Sequence, residues 1–308
     1  MKLRVLQIPS LTPGLQLEAA AAEPPDGIPI RAVLQISHGM CEHKERYLDF
    51  MEKMTCRGAV CVIHDHRGHG NSVMDHRDLG YMYQGGADLL VEELHLVTEY
   101  ANIHWPEVPL WMLGHSMGSL AARVYLKKYD SELQGMVLTG SPSRNRLAGI
   151  GMGLARIQAA CSGEGLHCRS RLLEGMAFGP FAAKFRKEKN RFSWCCANPE
   201  IQKAYTEDPL CGFTFTADGF LTLGQLMKRT YDSKGWEGKN LSLPILFLSG
   251  EDDPCYRSRR EFEQAAEHLK KQGYKNVKTK LYPGMRHEIL FEKDGRKAVE
   301  EICRWMGL

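Results

Sequence analysis

Six short apolar runs, each closed by turn residues, constrain this chain more than any other feature. They are RAVLQIS (31–37), AVCVIHD (59–65), VPLWML (108–113), LQGMVLTG (133–140), LPILFLSG (243–250) and VKTKLYPG (277–284). Most are apolar at consecutive rather than alternate positions, the pattern of strands buried on both faces. Helical periodicity intervenes, as in GADLLVEELHLVTEYAN (86–102) and SRREFEQAAEHLKKQG (258–273). Strands alternating with helices predict an α/β fold with a doubly wound, mostly parallel sheet, its right-handed crossovers placing helices on both faces. Ligands of such sheets bind beyond the carboxyl ends of the strands. That edge would collect His38-Gly39-Met40, His66, Ser116, Asp252, Asp253 and His287.

The alternation lapses over 142–242, a long, helix-rich stretch with no strong strand. A stretch of this kind between two core strands reads as a cap or lid. The expected organisation is a core in two parts, 1–141 and 243–308, with a helical cap inserted at 142–242. The length of 308 residues suits one such unit as well as two smaller domains. A formal net charge of +3 is too mild for a nucleic-acid partner, which needs a concentrated basic face. The ten cysteines are scattered without a CxxC pair and read as buried thiols in a reducing compartment. The opening MKLRVLQIPSLTPG is broken by Arg4 and Pro9 before it could serve as a signal peptide, and no run approaches a membrane span. A soluble, cytoplasmic protein is expected. The tract AAAAE (19–23) is too short to count as low complexity.

The chemistry gathers around GHSMG (114–118). A strand-like run stops at Gly114-His115-Ser116-Met117-Gly118 and a helical pattern follows, the strand–turn–helix context of a nucleophile elbow. The flanking glycines have a steric reason, because side chains two residues either side of the serine would collide in so sharp a turn. Ala121 and Ala122 let the next helix approach the sheet. The plain alternative is a loop serine at a glycine turn. A serine hydroxyl needs a base to take its proton and an acid to orient that base, supplied in the chain order Ser, acid, His in this architecture. LPILFLSG ends in Glu251-Asp252-Asp253-Pro254, and YPGMRHEI brings His287 after the last strand. Asp253 lies 137 residues after Ser116 and 34 before His287, room for a cap and then for one helix plus one strand. On spacing alone Asp252, Glu251 and Glu288 rival Asp253. Backbone N–H groups of Met117 and Met40 are the expected oxyanion donors.

Two other patterns carry less. His64-Asp65-His66-Arg67-Gly68-His69 has zinc-like spacing, but Gly68 stands where metallo-hydrolases usually place a carboxylate. It reads as a polar turn. Gly149-x-Gly151-x-Gly153 follows no strand, which argues against a dinucleotide loop.

Taken together, HGMCEHKERY (38–47), DHRGHGNS (65–72), GHSMG (114–118), SGEDDP (249–254) and GMRHEI (284–289) resemble the monoglyceride lipase and lysophospholipase branch of the α/β-hydrolases, whose bacterial members are often called serine aminopeptidase-like. FGPFAAKF (178–185), FSWCCANPE (192–200) and YTEDPLCGFTFT (205–216) are similar to that group's lid. The resemblance implies Ser116 as nucleophile, His287 as base and Asp253 as the acid. It also implies Met40 and Met117 as oxyanion donors, and His38, Glu42, His43, Arg46 and Tyr47 as a hydrogen-bonded frame.

The expected function is hydrolysis of carboxylic esters through an acyl-enzyme on Ser116, with no metal or organic cofactor. Expected substrates are monoacylglycerols or lysophospholipids, since apolar, Met-containing cap segments such as GIGMGLARI (149–157) suit an acyl chain. The rivals are a carboxylesterase of small or aromatic acyl groups, a thioesterase or peptidase on the same triad, and a non-catalytic ligand-binding protein. KFRKEKNRFSW (184–194) is unusually basic for such a lid. Phe178, Phe181 and Phe185 share one helix face and either pack inward or join Lys184, Arg186, Lys187 and Lys189 against an anionic membrane.

Overall fold

The six apolar runs pair side by side as contiguous strands of one eight-stranded sheet, the last of them forming one edge. In chain order the computed structural model, which describes Met1–Leu308, contains β1 (Lys2–Pro9), β2 (Gln16–Glu23), β3 (Ala32–Ser37), α1 (Leu48–Thr55), β4 (Ala59–His64), α2 (Gly86–His104), β5 (Leu110–His115), α3 (Met117–Tyr129) and β6 (Gly135–Thr139). Between β6 and the next strand lie α4 (Ala148–Cys161), α5 (Arg171–Lys184), α6 (Pro199–Glu207) and α7 (Ala217–Thr230). The chain closes with β7 (Pro244–Gly250), α8 (Arg259–Lys271), β8 (Asn276–Tyr282) and α9 (Arg296–Met306).

The strand order is β1-β2-β4-β3-β5-β6-β7-β8. β4, β3, β5, β6, β7 and β8 run parallel, while β2 joins β4, and β1 joins β2, in antiparallel register. This is the α/β-hydrolase fold expected from the sequence.

Residues of the central strands alternate between two cores. Val33, Leu110 and Met112 enter the larger one, beneath α2, α3, α7 and α8. Leu34, Ile36, Trp111 and Leu113 enter the other, beneath α1 and α9. Each fully buried aliphatic side chain of this kind contributes about 1.5–3 kcal/mol, which is why six consecutive buried residues in β5 hold so firmly.

The two antiparallel strands are absent from the sequence reading. β1 is an exposed edge, and β2 buries Ala19, Ala20, Ala21 and Ala22, residues of low strand propensity. Pairing with β4 makes AAAAE a strand, and its small alanines let α1 lie close to the sheet there. β5 also begins and ends two residues later than expected, so that His115 is its last residue and Ser116 follows directly.

The segment between β6 and β7 is made of helices and irregular loops, with one isolated bridge, Arg169 to Thr216. α4, α5 and α6 roof the carboxyl edge of the sheet. α7 packs on α2 and α3 as well as on α4, and its Leu221, Leu223 and Leu226 belong to the larger core. All ten cysteines are unpaired thiols, and only Cys56 and Cys161 are exposed. No helix is long and apolar enough to cross a membrane.

Candidate active site

Ser116 sits in a backbone conformation that L-residues avoid, with φ +51° and ψ −116°. It is one of five non-glycine residues at positive φ; Cys41, next to Met40, is another. Such strain persists only where the surroundings enforce it. A Cβ on Gly118 would stand 2.1 Å from Ser37 O and 2.4 Å from His38 O, and one on Gly114 would stand 2.8 Å from Ser119 Cα. Glycine at both positions is therefore a packing requirement, as the motif suggested. Ser116 N–H donates to Thr139 O at 3.0 Å, pinning the turn to β6. α3 starts at Met117, so its first N–H groups lack intrahelical acceptors and point toward the strand edge. On the other side, Met40 follows β3 by three residues and lines the same cavity.

Asp253 and His287 meet as buried partners. His287 Nδ1 lies 3.1 and 3.0 Å from the two carboxylate oxygens of Asp253. Asp253 also accepts from Ser249 Oγ at 2.7 Å and from Cys255 N–H at 2.8 Å. Burial pushes its pKa up, but His287 and these donors outweigh burial and leave it below the ordinary value. Burial pulls His287 down, and Asp253, Glu288 and Glu42 more than compensate, leaving its pKa raised. Nε2 of His287 faces the Cys255 thiol at 3.8 Å. The ring packs against Trp194 at 5.2 Å and His115 at 4.8 Å between centroids. Gly140 makes room for it: φ is +56°, and a Cβ there would lie 2.8 Å from Cε1 and 2.9 Å from Nδ1 of His287.

The rivals for the acid go elsewhere. Glu251 and Asp252 are exposed, whereas Glu288 is buried on Arg46. The Arg46 guanidinium donates to Glu288 Oε1 and Oε2 at 2.8 and 2.7 Å, and to Glu42 Oε2 at 2.5 Å. Glu42 Oε1 in turn accepts from Gly39 N–H at 2.5 Å and from Tyr47 Oη at 3.0 Å. One cation thus ties the loop carrying Met40 to the loop carrying His287. Burial raises the pKa of Glu42 despite Arg46, whereas for Glu288 the bidentate Arg46 wins over burial and lowers it. His43 bridges Glu45 at 2.6 Å and Asp208 of the cap at 2.8 Å. His38 Nε2 accepts from His66 N–H at 2.9 Å. Of the expected frame, Glu42, Arg46 and Tyr47 interlock, while His38 and His43 make their hydrogen bonds to other residues.

A cavity of about 780 Å³ opens over these groups, lined by Met40, Ser116, Met117 and His287 from the core and by most of α5 from the cap. Phe178 and Phe181 face it and pack with Trp194 at 5.9 and 5.2 Å. Of the two readings of the phenylalanine face, the inward one holds. Phe185 lies against the Arg286 guanidinium, 4.1 Å from its ring centre. Gly149, Gly151 and Gly153 lie inside α4. His64, His66 and His69 are buried, but their ring nitrogens do not converge as ligands. Convergent sets of potential ligand atoms are His43–Asp208–Cys211 and Asp253–Cys255–His287.

Sequence reasoning missed Ser249, Gly140, Cys255, Trp194 and the cap's grip on the His287 loop. Ser249 and Cys255 flank Asp253 in SGEDDPC and were within reach. The others act across the fold and leave no local pattern.

The chain is similar in sequence to a monoacylglycerol lipase of Mycolicibacterium smegmatis, at 27% identity over 292 residues covering 92% of this chain and 90% of that protein. It is 30% identical to human monoglyceride lipase over 121 residues, 37% of this chain and 36% of that one. Among solved structures, a highly thermostable carboxyl esterase from Bacillus coagulans, in complex with glycerol, superposes with a TM-score of 0.89 at 26% identity, covering 100% of this chain and 98% of that one. A monoglyceride lipase from Saccharomyces cerevisiae shares the fold, with a TM-score of 0.74 at 17% identity over 100% and 96% of the two chains. The model of the serine aminopeptidase S33 family matches residues 28–294, and the chain belongs to that family, in the monoglyceride-lipase-like branch of the α/β-hydrolases.

Proposed function

We propose that this hydrolase cleaves carboxylic esters of single-chain lipids, monoacylglycerols or lysophospholipids, through an acyl-enzyme on Ser116. The observation that carries the reading is a buried Asp253–His287 pair whose imidazole shares one apolar-walled cavity with a serine held at φ +51°. His287 Nε2 takes the Ser116 proton as Oγ attacks the carbonyl carbon. The oxyanion is met by the N–H groups of Met40 and Met117. His287 then gives its proton to the departing alcohol, and water repeats the cycle on the acyl-enzyme. Asp253 fixes the tautomer and steadies the imidazolium. In this structure His287 Nε2 rests against Cys255 and makes no hydrogen bond to Ser116, so that bond has to form as substrate seats.

The acyl chain would run along α5 and past Leu223 and Met227, which line the cavity. We assign 142–242 the role of lid over it. We also place any contact with a lipid surface on α4 and α5, where Leu147, Ile150, Ile157, Leu172 and Met176 are exposed beside Arg146 and Arg156.

A fluorophosphonate probe should label the parent protein and not Ser116→Ala. Hydrolysis of monoacylglycerol should rise with acyl length from two to about twelve carbons, each buried methylene adding about 0.8 kcal/mol at most. No labelling would favour a ligand-binding protein; a fall with chain length would favour a small-acyl esterase. Anionic liposomes that fail to retain the protein at low salt would remove the surface contact.

A further inference from the structure

The charged lining of the cavity is lopsided. Five cations reach it: Arg144, Arg171, Lys184, Arg191 and Arg257. Three carboxylates do so, and two of them, Glu42 and Glu288, are held by the buried Arg46. The third, Glu174, accepts from Thr214 at 2.7 Å and stands 4.0 Å from Arg191. Arg257 is answered by Glu261 at 2.8 Å, and Lys184 donates only to the carbonyl of Asp252, at 2.8 Å. Arg144 and Arg171 pair with no carboxylate, although their neighbours Ser143, Asn145 and Ser170 are each hydrogen-bonded.

The two arginines come from elements that frame the mouth. Arg144 follows β6 on a loop fixed to the Asp253 turn by Ser143 N–H donating to Cys255 O at 3.2 Å. Arg171 opens α5, whose opposite end is Lys184. Between the ends of that helix lie Met176, Phe178 and Phe181, the apolar wall. A substrate filling this space is apolar along α5 and meets guanidinium groups at the rim. A neutral glycerol offers them only hydroxyls, whereas a phosphate offers the acceptor geometry that guanidinium matches best.

The geometry points to a subsite for a phosphate group carried by the substrate, with Arg144 and Arg171 as specificity-determining residues. The inference rests on the ester-hydrolase reading above and narrows it to acyl esters with an anionic head. Two rim cations acting through water at roughly 6 Å favour such a head by about tenfold, an effect that salt screens.

The test compares kcat/KM on three decanoyl substrates kept monomeric: decanoyl-glycerol, decanoyl-glycerol-3-phosphate and decanoyl-coenzyme A. The proteins are the full chain, the doubly reversed Arg144→Glu/Arg171→Glu variant, and Lys203→Glu on α6, away from the cavity. The parent should prefer a phosphate-bearing substrate by about tenfold at low salt and less at about 0.5 M. The double reversal should cut that ratio at least tenfold, while Lys203→Glu keeps it. Preference for the glycerophosphate assigns the phosphate to a lipid head; preference confined to the thioester and lost in the double reversal assigns it to the coenzyme. Should the double variant fail to label with fluorophosphonate, Arg144→Gln and Arg171→Gln are compared singly. A parent that treats neutral and phosphate esters alike, or a ratio insensitive to both arginines, overturns the subsite. Hydrolysis of none of the three would instead refute the lipid-ester reading beneath it.

Discussion

Replacing Arg46 should separate catalysis from substrate binding. Its guanidinium carries three hydrogen bonds to Glu42 and Glu288, and all three side chains are at most 10% exposed. Arg46→Met leaves two buried carboxylates without their cation, which costs about 3–5 kcal/mol of stability. Arg46→Lys keeps the charge but not the fork, so one glutamate loses its bidentate partner, and about 1.5–3 kcal/mol is expected to go. Function should suffer through placement. Glu42 holds Gly39 N–H, one residue before Met40, and Glu288 follows His287 directly. A loosened guanidinium lets the Met40 and His287 loops, the proposed sources of oxyanion donor and base, drift independently, and misplacement near 1 Å costs about 10²-fold in rate. The assay is urea unfolding by circular dichroism with steady-state kinetics on a nitrophenyl ester, for Arg46→Lys first. The expected result is a kcat lowered 10- to 100-fold, roughly 1.4–2.7 kcal/mol, with KM within about threefold. A kcat within twofold of the parent, in a protein destabilised as stated, would refute positioning and leave Arg46 a purely structural group.

Three further outcomes follow from the same geometry. Gly140→Ala forces a Cβ against the His287 ring at a backbone angle disfavoured by about 1–2 kcal/mol, so kcat should fall about 100-fold or more with a modest loss in unfolding free energy. The raised pKa of His287 means that protonation silences the base as pH falls, so the acid limb of kcat/KM should lie above 6.5; Glu288→Gln removes a charge that raises it and should move the limb down. Burial lowers His64 to about 3 and His69 to about 4. The unfolded chain takes up these protons below its ordinary histidine pKa and the folded one does not, so stability should fall as pH drops from 6.5 toward 4, by about 1.4 kcal/mol per histidine per pH unit. Neither ring nitrogen of His64 has a partner, so His64→Leu should make that slope shallower by one proton without breaking a bond; an unchanged slope in urea titrations would contradict this.

What could be read from the chain was whatever repeats locally. Consecutive apolar residues in β3 to β7 reveal strands because both faces are buried, and the Gly-x-Ser-x-Gly sterics are those of five adjacent residues. β1 and β2 stayed hidden because their strand state comes from pairing, not from composition. The choice of Asp253 over Asp252 was illegible from spacing, since the two differ by one residue and only the turn decides which side chain enters the core. That turn is set by Ser249 and Cys255 N–H, both on Asp253, and by Asp252 N–H donating outward to Met285 O.

The basic segment 184–194 leaves Lys184, Arg186, Lys187 and Lys189 exposed, and its other residues hold the site in a way that its composition does not announce. By composition it resembles a patch for an anionic surface. In the fold its one acid, Glu188, grips Arg286 through both oxygens, and Arg286 also donates to Ser193 O. Glu288 N–H donates to Cys195 O at 2.7 Å, and Ala197 N–H to Glu292 at 2.9 Å. The loop bearing His287 is therefore held by the cap on both flanks, with Trp194 laid against the imidazole between them. We read this part of 142–242 as a wall of the site and α5 as the element that opens for substrate. α5 has the weaker ties, since it buries only Leu173, carries Pro180 within its span and touches α4 lightly, whereas α4 is packed firmly on α7. A crosslink from α5 to the Asp253 turn should block long-chain esters while sparing acetyl esters, whereas one between 197 and 293, which joins the same two segments away from the Arg46 fork, should leave both untouched. Equal loss on both substrates from the first crosslink would show that α5 does not gate entry.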